Sequence, residues 1–163
     1  MGFSCNSEID TRFMNQCLEL AKAASATGEV PIAAILILQN GSMIQAANQV
    51  EATGDPTAHA ERLVISEASR KFGRHALGGS TLYVSLEPCP MCAGALVQAR
   101  VGRLCFAARD TRFGGCRSIY RIADDPRLNH RLLITEGILK EESIALLQGF
   151  FEERRLHLGD QIV

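Results

Sequence analysis

Thr81-Leu82-Tyr83-Val84-Ser85-Leu86-Glu87-Pro88-Cys89-Pro90-Met91-Cys92-Ala93-Gly94-Ala95 is the stretch that decides the fold. Thr81 to Leu86 has the apolar, β-branched and aromatic make-up of a strand. A helix is expected after Pro88, because proline cannot continue a strand and suits a first helical turn. A strand that feeds directly into a helix is half of a crossover unit, so the flanking segments should alternate in the same way.

Working upstream, Asp55-Pro56-Thr57 is a capping entry to a helix from about Ala58 to Arg70, which ends toward Gly73 and Gly78-Gly79. Before it, the aliphatic run Ala33 to Leu38 reads as a strand. Asn40-Gly41 then signals a two-residue hairpin and a return strand through about Ala47. The opening segment places Ile9, Phe13, Cys17, Leu20 and Ala24 three to four residues apart, after Ser7 as N-cap and before Gly28 as a stop: an amphipathic helix.

Downstream, a short strand is expected around Leu104 to Ala107. Thr111 to Arg131 is rich in Gly and Arg and reads as a loop with a short helix near Ser118 to Ala123. A strand from Leu132 to Thr135 precedes a final helix from about Lys140 to Arg155, with Ile144, Leu147 and Phe151 on one face. The order α-β-β-α-β-α-β-α-β-α implies an α/β fold, a central sheet flanked by helices on both faces with one hairpin at its start.

With 163 residues, 47% hydrophobic and 21% charged, the chain is expected to form one domain over 1–163 and to have an ordinary globular core. Its longest apolar run, Val30 to Leu38, is far shorter than the ~20 residues of a membrane span. Met1 to Asp10 lacks the basic start and apolar stretch of a secretory signal, so a cytoplasmic location and reduced thiols are expected for the six cysteines. The net charge is −1, but Arg100, Arg103, Arg109, Arg112, Arg117, Arg121, Arg127 and Arg131 face only Asp110, Asp124 and Asp125 within one segment. That surplus points to nucleic acid, although an arginine at a helix end can equally serve carbonyl groups or a subunit interface.

Two short motifs carry the chemistry. Pro88-Cys89-Pro90-Met91-Cys92 alone could be a redox dithiol, half of a four-cysteine zinc site, or chance, and His59 alone a cap or core residue. Together they change the reading, since both lie where a loop becomes a helix and can converge from two helix N-termini, where thiolates are favoured. Three N and S ligands suit Zn²⁺. Cys5, Cys17, Cys105 and Cys116 form no second Cys-x-x-Cys, and Cys17 and Cys105 fall on apolar positions, so the fourth place is left for water. Glu61, two residues from His59, is then placed to take a proton from that water and pass it on.

These motifs resemble the zinc-dependent cytidine and nucleoside deaminase superfamily, whose His-x-Glu and Pro-Cys-x-x-Cys signature they match. Gly28-Glu29-Val30-Pro31, Asn48, Asp55 to Glu61, Thr81 to Ala95, Arg109-Asp110, Asn129-His130 and Phe150-Phe151 are similar to the bacterial tRNA adenosine deaminases within it, over roughly residues 7 to 155. The resemblance implies a three-layer α-β-α fold with a central five-stranded mixed sheet, a homodimer, and His59, Cys89 and Cys92 as zinc ligands. It further implies that zinc-bound hydroxide attacks C6 of adenosine at the wobble position of a tRNA anticodon loop, with Glu61 as proton shuttle and inosine as product. Asn48 would bond the base, Val30 and Ala60 would form its apolar wall, and Asp110, Arg112, Arg117 and Phe150 would contact substrate. Guanine and cytosine deaminases share the metal motif, so a free nucleobase is the alternative substrate. Two positions depart from the tRNA enzymes, which usually have Gly where this chain has Arg117 and Ala33.

Overall fold

The computed structural model describes residues 7–159. The readings made on Cys5 and on the two ends of the chain lie outside them. Helix α1 (Ser7–Ser25) is followed by strands β1 (Ala33–Ile37) and β2 (Met43–Ala47), a short helix α2 (Val50–Thr53), helix α3 (Ala60–Phe72), a 3-10 turn (Arg74–Leu77), strand β3 (Thr81–Leu86), helix α4 (Pro90–Gln98), strands β4 (Arg103–Ala108) and β5 (Leu133–Glu136), and helix α5 (Lys140–Gly159). The sheet order is β2-β1-β3-β4-β5. β1 is antiparallel to both β2 and β3, whereas β3, β4 and β5 are parallel neighbours.

Alternation along the strands divides the core in two. Ala34, Leu36, Leu82, Val84, Leu104 and Phe106 pack with Val64 and Ala68 of α3 and Leu96 and Val97 of α4. Ile35, Tyr83, Cys105 and Ala107 face the other way, onto Met14 and Cys17 of α1 and the residues leading into α5. This is the three-layer arrangement with a five-stranded mixed sheet that the family resemblance implies. Cys17 and Cys105 lie in the core as expected.

Four local readings are corrected. Gln39-Asn40-Gly41 forms a three-residue loop: Gly41 N–H donates to Leu38 O, Leu38 N–H to Ser42 O, and only Gly41 (φ 84°) takes a positive φ. Asn40 instead uses its side chain to accept the N–H of Ser42. Ser7 is already helical. Residues 118–123 form no helix: the N–H groups of Ile119 and Tyr120 both donate to Gly114 O and that of Ile122 to Gly115 O, bonds that reach back five to seven residues and cannot continue as a helical ladder. On α5 the buried positions are Ser143 and Phe150, while Phe151 is 44% exposed, one helical step off the expected face. The turn-length α2 and the 3-10 turn have no counterpart in the sequence reading.

The buried ion pair of Asp10 and Arg103 ties α1 to the sheet. Arg103 donates to Asp10 through both terminal nitrogens (2.8 and 2.7 Å) and to Thr135 on β5, while the Tyr83 hydroxyl donates to Asp10. Arg103 is therefore removed from the basic surface expected of it. Truncating one partner strands the other charge, so Asp10→Ala should cost about 3–5 kcal/mol in urea unfolding, and Arg103→Met in the same chain should recover part of that loss.

Candidate metal centre and active site

The path of the chain explains how the ligands meet. β2 and β3 are each antiparallel to β1, so they run in the same direction, and the helices that follow them start at one edge of the sheet. His59 and Cys89 are the N-cap residues of α3 and α4, with no side-chain capping bond, which leaves both side chains available for ligation. Asp55 builds the approach: its Oδ1 accepts the N–H and hydroxyl of Thr57, and Thr57 O accepts the N–H of His59. Those bonds hold the Asp55 carboxyl below its ordinary range.

His59 Nδ1 lies 3.6 Å from Cys89 Sγ and 3.6 Å from Cys92 Sγ, and all three atoms fall within 4.8 Å of one another. Tetrahedral Zn²⁺ with its usual N and S bond lengths requires N···S near ~3.5 Å, so this donor set fits zinc. Cys89 accepts the hydrogen bond of Cys92 and that of His59, which pulls its thiol down to about 4 against burial; the same Cys92–Cys89 bond, with burial, drives Cys92 up. His59 is raised by its bond to Cys89.

Glu61 is only 3% exposed, and its Oε2 has no hydrogen-bond partner. Burial is the main cause that pushes its carboxyl up to about 7. A buried carboxylate with an orphaned oxygen beside three metal-competent atoms is poised to exchange a proton with something bound there. The cleft over it, about 190 Å³, is lined by Ile32, His59, Glu61, Leu86, Glu87, Cys89, Asp110 and Phe113.

Asn48 is buried, and its Oδ1 accepts the N–H of Ala60 at 2.9 Å, which fixes the amide's orientation and leaves Nδ2 as the group it can offer. Ala60 lies fully in the core and Val30 is half-buried; the apolar wall of the cleft comes instead from Ile32, Leu86 and Phe113. Asp110 lies in the cleft wall, its Oδ1 accepting the N–H groups of Arg112 and Phe113. Arg117 is turned to Asp124 (2.8 Å) and its own neighbour's carbonyl. Phe150 is buried away from the cleft, edge-on to Phe151 and beneath Arg154. Ile32 and Phe113 had no motif to announce them; only a bulky apolar residue in an Arg- and Gly-rich loop marked Phe113.

A family model described as the cytidine and deoxycytidylate deaminase zinc-binding region matches residues 7–108. The chain belongs to this zinc-dependent deaminase family. Among its relatives is a tRNA-specific adenosine deaminase of Haemophilus influenzae, 41% identical over 91% of this chain and 87% of that protein. Another, from Aquifex aeolicus, is 44% identical over 88% and 94%. A solved structure from work on A-to-I editing by tRNA:A34 deaminases at the wobble position of transfer RNA superposes with TM-score 0.78 at 39% identity, over 84% of this chain and 99% of that one. A guanine deaminase of Nitrosomonas europaea gives 0.70 at 26%, over 84% and 81%. Zinc is thus this deaminase's cofactor.

Glu87, beside Cys89 and 2% exposed, organises the far wall of the cleft. Its Oε1 accepts the N–H groups of Cys116, Arg117 and Ser118, and its Oε2 those of Asp110 and the Ser118 hydroxyl. Gly114 and Gly115 pass so close that a Cβ would lie 2.5 Å from the Glu87 carboxylate and 2.8 Å from the Cys89 backbone. Burial alone would raise the Glu87 carboxyl, but the bonds from Ser118, Arg117 and Cys116 outweigh it and hold it below the ordinary value of 4.5. A depressed acid stabilises the fold above its unfolded pKa and loses that contribution as pH falls through its folded one. Glu87→Gln should therefore cost about 1–3 kcal/mol at neutral pH. In urea titrations across pH, the gap from the parent should narrow only below the ordinary value of 4.5.

Proposed function

We propose that the chain is a single deaminase domain that converts adenosine to inosine at the wobble position of a tRNA anticodon loop. The observation that carries this reading is the level of kinship: relatives at 41% and 44% identity along most of both chains are tRNA-specific adenosine deaminases, against 26% for the guanine deaminase. A homodimer in the cytoplasm accords with that kinship. Among the described residues no helix is long and apolar enough to cross a membrane.

His59, Cys89 and Cys92 are the residues that would hold zinc, and zinc, when bound, would supply the Lewis acidity that makes a water easier to deprotonate. Glu61 does the proton work: its raised affinity suits a group that accepts a proton from water, gives one to the purine ring nitrogen, and later delivers one to the departing amine. Water is consumed, the C6–N bond breaks, and ammonia leaves. Asn48 Nδ2 offers a donor to a purine acceptor, while Ile32 and Leu86 exclude water around the base. Only Arg100, Arg112 and Arg131 of the basic segment lack an acidic partner among the described residues, so phosphate contacts rest on few of the eight.

The test is incubation with a tRNA bearing adenosine at the wobble position and, in parallel, with free guanine, cytosine and adenosine. Inosine in the tRNA is expected, with activity falling as salt rises. Ammonia released from a free base, with the tRNA unchanged, would overturn the reading. Elemental analysis should find one zinc per chain, lost in His59→Ala and Cys92→Ala. Glu61→Gln should keep its zinc and lose at least about 10²-fold in kcat.

A further inference from the structure

Phe113 is 65% exposed, yet its ring lines the same cleft as His59, Glu61 and Cys89. A mobile side chain could fold back onto the protein, but here the backbone beneath it is fixed. Asp110 Oδ1 holds the N–H groups of Arg112 and Phe113, Gly114 N–H donates to Asp110 O, and Glu87 clamps the next residues. Gly114 and Gly115 are pressed against Glu87 and the Cys89 backbone, so the backbone that carries the ring is held at the mouth of the cleft. Next to it, Arg112 is exposed and has no ion pair among the described residues, whereas Arg109, Arg117 and Arg121 are paired with Glu136 and Asp124.

We propose that Phe113, with Arg112, forms a stacking platform for a nucleotide adjacent to the target base in single-stranded RNA. This rests on the RNA reading above and adds a recognition element to it. The cleft, at about 190 Å³, is on the scale of a single base. An RNA whose target base is inserted must leave its next base at the rim, unstacked from its former neighbour. An exposed aromatic face there replaces the lost stacking, and an unpaired guanidinium meets the phosphate that follows. Because every base has a π-face, the platform holds the strand without reading sequence.

The experiment uses zinc-loaded protein carrying Glu61→Gln and a hairpin RNA with 2-aminopurine placed immediately 5′ or 3′ of the target adenosine. One of the two reporters should be quenched on binding. Phe113→Ala should abolish that quenching and weaken RNA binding by about 5- to 100-fold, with the corresponding loss in the Glu61-intact enzyme lying in KM. Phe113→Trp should restore both, and the thermal midpoint should not move, since the ring is mostly in solvent. Arg112→Gln should weaken binding and lower the salt slope by about one. Unaltered quenching and affinity in Phe113→Ala would overturn the platform while leaving the deaminase reading intact. A change in sedimentation mass with Phe113→Ala would also overturn it, by placing the ring between copies of the chain. Turnover of a free base with RNA untouched would overturn both.

Discussion

β1 lies between two strands that both oppose it, and the chemistry of this protein depends on that arrangement. It makes β2 and β3 run the same way, so the loops that leave them, and the helices those loops open, share one edge of the sheet. β4, parallel to β3, delivers Asp110 and Phe113 to that edge, and the entry to β1 delivers Ile32. Residues far apart in sequence thus meet without strain in any strand. Had β1 paired parallel to either neighbour, His59 and Cys89 would open helices at opposite ends of the sheet. The positive ends of two helices then converge on the sulfurs, which supports thiolate at a site otherwise short of solvent.

Two buried glutamates show how the same side chain is tuned in opposite directions over a short distance. Glu87 receives five hydrogen bonds, which favour its charged form, and it serves as a rigid anchor for the loop after β4. Glu61 is as deeply buried but keeps an oxygen with no partner, so burial dominates and it binds its proton more tightly. Satisfied carboxylates hold structure; an unsatisfied one beside metal ligands is free to exchange protons. The division of labour is set by how many N–H groups the neighbouring backbone aims at each.

Much of this was legible in the sequence because it is local. Strand and helix periods, the Pro after a strand, and the spacing of His59, Glu61, Cys89 and Cys92 each depend on a few adjacent residues, and the element order follows from them. What was not legible depends on contacts across the fold. The segment 118–123 has the composition of a helix, yet the carbonyls of Gly114 and Gly115 draw the N–H groups of Ile119, Tyr120 and Ile122 out of a helical ladder. The hairpin carries a strong Asn-Gly signal, but Asn40 finds a partner in the N–H of Ser42 and only Gly41 turns left-handed. Phe150 and Phe151 are adjacent and chemically identical, and only the packing of α5 decides which is buried.

The basic segment illustrates the same limit for charge. Counted along the chain, its eight arginines suggest a broad electrostatic footprint for a polyanion. In the fold, Arg103 neutralises Asp10 in the interior, Arg117 and Arg121 share Asp124, Arg109 meets Glu136 and Arg127 meets Asp125. With five of the eight in ion pairs, counterion release contributes less than the count along the chain suggests, so affinity for RNA also draws on contacts of another kind. In the proposed function the cleft would take one base between its apolar walls, and Asn48, whose amide is oriented by Ala60, would offer that base a donor. With the proposed stacking platform at the rim, recognition would rest on shape and exposed π-surface as well as on charge, in keeping with a chain whose overall balance is −1.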